Sequence, residues 1–150
     1  MPTRRILVAD DEKNIRLTLA DLLEGMGFEV VTAINGWEAV FEARKPHPSG
    51  PFWLVLLDYQ MPGMDGLEAL YSIRQDAPET RVAMITAHGS VATAVDAMKF
   101  GAMDFLSKPF VPSDIRALVH QIEARDAGPA SAAPAEAPPD APPDAPPDAA

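Results

Sequence analysis

The chain contains no cysteine, which excludes disulfide bridges and thiolate metal sites. Basic residues are scarce. Twelve Lys and Arg against 22 Asp and Glu leave a net charge of −10, which disfavours direct binding of nucleic acid through phosphate contacts. No apolar run approaches the ~20 residues that span a bilayer. The start, Met-Pro-Thr-Arg-Arg before a four-residue apolar run, is too short for a signal peptide. We expect a cytoplasmic protein with no membrane partner. Histidine is rare too, and His47 and His120 lack metal-ligand partners, so both read as surface residues. What is present suffices for one domain: 150 residues can bury a core.

Proline is unevenly spread. Residues 127–150 hold eight of the sixteen prolines and ten alanines, ending in Ala137-Pro-Pro-Asp140, Ala141-Pro-Pro-Asp144 and Ala145-Pro-Pro-Asp148. That segment has no aromatic or branched aliphatic residue, so it cannot bury enough apolar area to offset its ordering entropy. We expect a domain over residues 1–126 and a disordered, polyproline-biased tail or linker over 127–150. Its four acids (Glu136, Asp140, Asp144, Asp148) and lack of basic flanks fit a solvated spacer.

Before the tail, strand-like runs alternate with helical patterns. The strands are Ile6–Ala9, Phe28–Ala33, Phe52–Asp58, Val82–Thr86 and Met103–Leu106. Between them, apolar residues recur at helical spacing. Ile15, Leu19, Leu22, Leu23 and Met26 form the first stripe, with Gly25 and Gly27 marking its stop. Trp37, Val40 and Phe41 follow the Asn35-Gly36 turn, and Leu67, Leu70 and Tyr71 form a third group that ends before Pro78. Val91, Ala94, Val95 and Met98 end at Gly101, and Ile115, Leu118, Val119 and Ile122 form the last stripe. Five βα repeats imply an α/β fold: a doubly wound, five-stranded parallel sheet with five helices. The flavodoxin-like order 2-1-3-4-5 would put the switch point between the first and third strands.

Those two strands end in acids. Asp10-Asp11-Glu12 follows the first, and Asp58 closes the third before Tyr59-Gln60-Met61-Pro62-Gly63. Asp after a strand is also a common turn former or helix N-cap, so neither cluster decides alone. Together they outline an anionic pocket at the sheet rim, where oxygen-only ligands favour Mg2+ or a similar hard cation. Thr86 ends the fourth strand, and Lys108 follows the fifth. This set suits phosphoryl transfer. A carboxylate can act as nucleophile, while a metal ion and an ammonium group offset charge on the phosphoryl oxygens.

Four motifs in order carry a resemblance: Val8-Ala-Asp-Asp-Glu12, Leu57-Asp-Tyr-Gln-Met-Pro-Gly-Met-Asp-Gly66, Ile85-Thr-Ala-His-Gly89 and Gly101-Ala-Met-Asp-Phe-Leu-Ser-Lys-Pro-Phe110. Residues 4–125 resemble the receiver domain of two-component response regulators, with a pattern nearest to receivers of transcriptional activators. The resemblance implies that Asp58 accepts a phosphoryl group from a sensor histidine kinase or phosphotransfer protein. It implies Mg2+ held by Asp11, Asp58 and the Gln60 backbone carbonyl, with Asp10 helping through water. Lys108 would pair with the phosphoryl oxygens, Thr86 would hydrogen-bond them, and the Phe105 rotamer would follow Thr86. The Lys108–Pro109 bond would be cis. The surface of helix four, strand five and helix five, with Lys99, Phe100, Phe105, Ser107 and Arg116, would be the output or homodimer face. The chain would be a switch, not a turnover enzyme.

Taken singly, these residues have plainer readings. Lys108 would be a solvated lysine, Thr86 an ordinary strand residue and Phe105 core. Trp37 and Trp53 would be packing residues, and the Met61-Pro62-Gly63 turn structural. His88, two residues past Thr86, falls near the pocket mouth. Two other functions compete with the switch. A metal-dependent phosphatase with an aspartyl nucleophile would need a second acid two residues after Asp58, where Gln60 stands. A phosphorylation-independent interaction scaffold would not need the full acid–Thr–Lys set. The output is not readable, because no DNA-binding or ATPase segment occurs in these residues. The chain reads either as a stand-alone receiver with a tail or as a fragment ending in a linker.

Overall fold

The computed structural model describes residues 4–87 and 91–127. Five strands form one parallel sheet: β1 (Arg5–Ala9), β2 (Glu29–Ala33), β3 (Leu54–Asp58), β4 (Arg81–Ala87) and β5 (Asp104–Lys108). Their order is β2-β1-β3-β4-β5. The central strands β1 and β3 are buried along their whole length. That burial explains their unbroken apolar runs, since a strand covered on both faces has no polar side.

Helices α1 (Lys13–Gly25), α2 (Gly36–Arg44), α3 (Gly66–Asp76) and α4 (Val91–Lys99) connect the strands. Strand residues alternate between faces. Leu7, Ala9, Val55, Leu57, Val82 and Met84 join Ala39, Val40, Leu70, Ile73 and Ala97 in one core cluster. Ile6, Val8, Leu54, Leu56, Ala83 and Ile85 have the opposite parity and are equally buried. α1, which buries Leu19 and Leu23, packs against β1 and β2. The helix α5 (Pro112–Ala127) buries Ile115, Leu118, Val119 and Ile122, the stripe expected from the sequence.

Local signals account for the helix ends. Asn35 caps α2 by accepting from Glu38 N at 2.8 Å. Asp65 and Glu68 form a reciprocal capping box at the start of α3. Gly27 and Gly101 take positive φ just beyond α1 and α4.

Several expectations need correction. Trp37 does not fill the core; it is 63% exposed and lies against Gly63, and Phe41 beside it is 62% exposed. α2 instead turns Ala39 and Val40 inward. In α4, Val95 and Met98 are exposed and Ala97 is buried, because a close approach to the sheet takes the smaller side chain. Phe105 is not core but 39% exposed on the edge strand. β5 extends to Lys108, so the lysine ends the strand instead of following it. Trp53 does pack, stacked on Phe28 with ring centroids 5.3 Å apart. His88 and the 128–150 segment lie outside the described residues.

Gly66 joins the fold to the acidic rim. A Cβ there would lie 2.5 Å from the Asp58 carbonyl oxygen and 2.7 Å from Tyr59 Cα. Both are backbone atoms and cannot swing aside. Gly66→Ala should therefore cost about 1–3 kcal/mol of stability, the range of overpacking. Urea unfolding checks this, and an unchanged midpoint would show that α3 shifts freely against β3.

Candidate functional site

The carboxyl ends of β1 and β3 are adjacent, so their acids converge. Asp10, Asp11 and Asp58 each place a carboxylate oxygen within 4.8 Å of the other two. Asp10 is fully buried and Asp58 is 4% exposed. Asp11 is exposed and lines a hollow with Tyr59, Gln60, Met61, Pro62 and Asp65. Backbone donors hold the buried acids: Glu12 N donates to Asp10 Oδ1 at 2.8 Å, and Gln60 N donates to Asp58 Oδ1 at 3.3 Å.

Lys108 enters from the end of β5. Its side chain is only 15% exposed, so it is not the solvated lysine it resembles in isolation. Nζ donates to Asp58 Oδ2 at 3.3 Å and to Glu12 Oε1 at 3.1 Å. It also lies 3.0 Å from Asp10 Oδ2, an ion pair without hydrogen-bond geometry. The Lys108–Pro109 peptide is cis, as expected.

Electrostatics mark Asp58 as the strained member. Burial, then the Asp10 charge, pushes its carboxyl up from 3.8 to about 6, against the pull of Lys108 and the Gln60 N–H. Burial opposes charge on Lys108 too. Its contacts with Asp10 and Glu12 and the charge of Asp58 outweigh that, and hold the ammonium above its ordinary pKa. Three carboxylates against one ammonium leave the pocket short of positive charge.

Thr86 lies one residue past Ile85, the register partner of Asp58. The threonine is 2% exposed, and its Oγ1 has no hydrogen-bond partner among the described residues. A buried hydroxyl without a partner is costly. In the β4–β5 register, Met84 pairs with Phe105 and Thr86 with Ser107. Phe105 therefore sits diagonally behind Thr86 on the same sheet face.

The donor set fits a hard divalent cation: three carboxylates, two from successive residues and one across the sheet, with Gln60 lining the adjoining hollow. Asp10 Oδ2 and Thr86 Oγ1 are buried polar atoms with hydrogen-bonding capacity to spare. Among the sequence-proposed residues, Asp10, Asp11, Asp58 and Lys108 come together. Gln60 borders them, while Phe105 stands apart on β5. The Glu12 partnership with Lys108 went unforeseen, and only its place beside Asp10-Asp11 hinted at it.

Comparison with known proteins bears on the same elements. Residues 6–120 match the family model of the response regulator receiver domain. The chain is 38% identical over 121 residues to the probable transcriptional regulator ycf27 of Pyropia yezoensis, covering 81% of this chain and 48% of that protein. It thus spans about half the length of that relative. It is 41% identical over 107 residues to the chemotaxis protein CheY of Bacillus subtilis, covering 71% of this chain and 86% of that protein. The crystal structure of the receiver domain of NtrX from Brucella abortus superposes with a TM-score of 0.70 at 37% identity, covering 78% of this chain and 96% of that one. With the five-stranded order, the acid cluster and a family match over residues 6–120, the chain belongs to the response regulator receiver domains.

Proposed function

We propose that the chain is a phosphorylation-controlled switch whose acceptor is Asp58. The observation that carries this reading is one ammonium group, Lys108, spanning buried Asp10 and Asp58 at 3.0 and 3.3 Å in a pocket with surplus negative charge. A carboxylate oxygen of Asp58 would attack phosphorus. The P–N bond to the donor imidazole breaks, and its electron pair stays on the ring nitrogen. A sensor histidine kinase or phosphotransfer protein is the proposed donor, and a cytoplasmic location goes with that partner.

Asp11, Asp58 and the Gln60 carbonyl would hold Mg2+, with Asp10 acting through water. When bound, the ion would offset charge on the phosphoryl oxygens. Lys108 contributes the second positive charge from the β5 side. Thr86 can donate its unpartnered hydroxyl to a phosphoryl oxygen. Movement of Thr86 would open space on the face it shares with Phe105, and the exposed surface of α4 and β5, with Lys99, Phe100, Phe105 and Ser107, would change shape. Residues 127–150 act as a spacer in this reading. Gln60, two residues after Asp58, cannot serve as the carboxylic acid of a phosphatase, so the chain is not proposed as a turnover enzyme.

Acetyl phosphate with Mg2+ should add one phosphoryl group to the wild-type chain and none to Asp58→Asn, read by intact mass. Equal labelling of the two would sink the assignment. Thr86→Ala should still take up the group but fail to pass on the change. Beryllofluoride, which stands in for the phosphoryl group, should shift the Lys99 and Phe105 amide signals in wild type and leave them within error in the mutant. Equal shifts in both proteins would remove Thr86 from the route.

A further inference from the structure

Glu12 occupies the N-cap of α1, yet its side chain makes no capping hydrogen bond. Ser, Thr, Asp or Asn is favoured there, because a short side chain reaches the free N–H groups of the first turn. The Glu12 carboxylate crosses instead to Lys108 Nζ, 96 residues away in sequence, at 3.1 Å. Its own backbone N–H is fixed by Asp10 Oδ1 at 2.8 Å, so the residue is aimed at the lysine.

We propose that Glu12 is a positioning residue that holds Lys108 at the pocket mouth in the unphosphorylated state and releases it when a phosphoryl group arrives. The inference rests on the phosphoacceptor reading of Asp58. An ammonium group has three N–H donors, and Nζ already faces three carboxylates, at 3.0, 3.1 and 3.3 Å. Phosphorylation turns the Asp58 carboxylate into an uncharged acyl group and puts in its place a phosphoryl group with about −1.5 to −2 charge and three acceptor oxygens. An ammonium group that turns more of its N–H donors to those oxygens loosens its hold on Asp10 or Glu12. Asp10 is fully buried, whereas the Glu12 side chain is 61% exposed. Water can solvate a freed Glu12 carboxylate but not a freed Asp10 carboxylate, so Glu12 is the partner released at least cost. An interaction present in one state and lost in the other biases the equilibrium toward the first. Glu12 thus favours the resting state.

Two substitutions separate this role from plain charge. Glu12→Gln removes the charge. Glu12→Asp keeps it, but on a side chain one methylene shorter, which withdraws from Lys108 and suits an N-cap. Titration with beryllofluoride in the presence of Mg2+, followed by NMR, should give affinities about two- to fivefold tighter for both variants, the range of one partly exposed ion pair. In EDTA, without the probe, both should shift the Lys108 Cε–Hε signals, and Glu12→Asp should melt no lower than wild type. A Glu12→Asp protein that binds beryllofluoride like wild type would reduce Glu12 to a rim charge and overturn the inference. So would unchanged affinity in both variants. Wild type that binds no beryllofluoride, or an Asp58→Asn protein that binds it as well as wild type, would overturn the acceptor reading itself and the inference with it.

Discussion

Asp58→Asn should make the metal-free protein more stable at neutral pH. Folding raises the Asp58 pKa from 3.8 to about 6, first through burial and then through the Asp10 charge. Between those values the folded state binds a proton that the unfolded state has lost, so stability falls as pH rises across that window. Above it the cost of the ionised carboxylate is fully present; below it the cost vanishes. A shift of about two units corresponds to at most about 3 kcal/mol. Asparagine resembles the neutral form and avoids the cost. In EDTA, urea unfolding of wild type and Asp58→Asn should give similar midpoints near pH 4 and diverge by pH 7, with the mutant more stable. A mutant less stable than wild type at pH 7 would mean that the Lys108 contact outweighs burial.

The same surplus of negative charge makes the fold sensitive to a divalent cation. A ligand that binds only the folded state adds RT ln(1 + [L]/Kd), about 2.7 kcal/mol at a hundredfold excess over Kd. Wild type should therefore melt several degrees higher in excess Mg2+ than in EDTA. Asp11→Ala should lose most of that response, because it removes one of the three converging carboxylates while leaving buried Asp10 and Asp58 paired with Lys108. Equal Mg2+ shifts in the two proteins would place the ion elsewhere.

Much of this architecture is legible in the sequence because its signals are local. An apolar run that ends in Asp58 before a Pro-Gly turn states where β3 stops and which residue stands at the rim. Alternating periods of two and 3.6 state that the connections are helical, and short unknotted crossovers then leave few sheet orders. Distant contacts are less legible. Glu12 and Lys108 meet because β1 and β5 end at the same rim, and no local pattern announces the pair. The inward face of α4 is hidden from the sequence for another reason. Apolar spacing marks Val95 and Met98, but close packing on the sheet selects Ala97, and periodicity does not weigh side-chain size against helix–sheet distance. α2 shows the same limit: spacing groups Trp37 with Val40, yet Val40 turns inward and the Trp37 ring lies outside, against Gly63.

The decisive property of the pocket is which carboxylate carries the phosphoryl group. Borohydride reduces an acyl phosphate to an alcohol, so a phosphorylated aspartate becomes homoserine at its own position. Wild-type protein treated with acetyl phosphate and Mg2+, reduced, digested and sequenced by tandem mass spectrometry, should show homoserine at position 58 and aspartate at positions 10 and 11. Homoserine at 10 or 11, or at no position after a confirmed gain of one phosphoryl mass, would contradict the central claim.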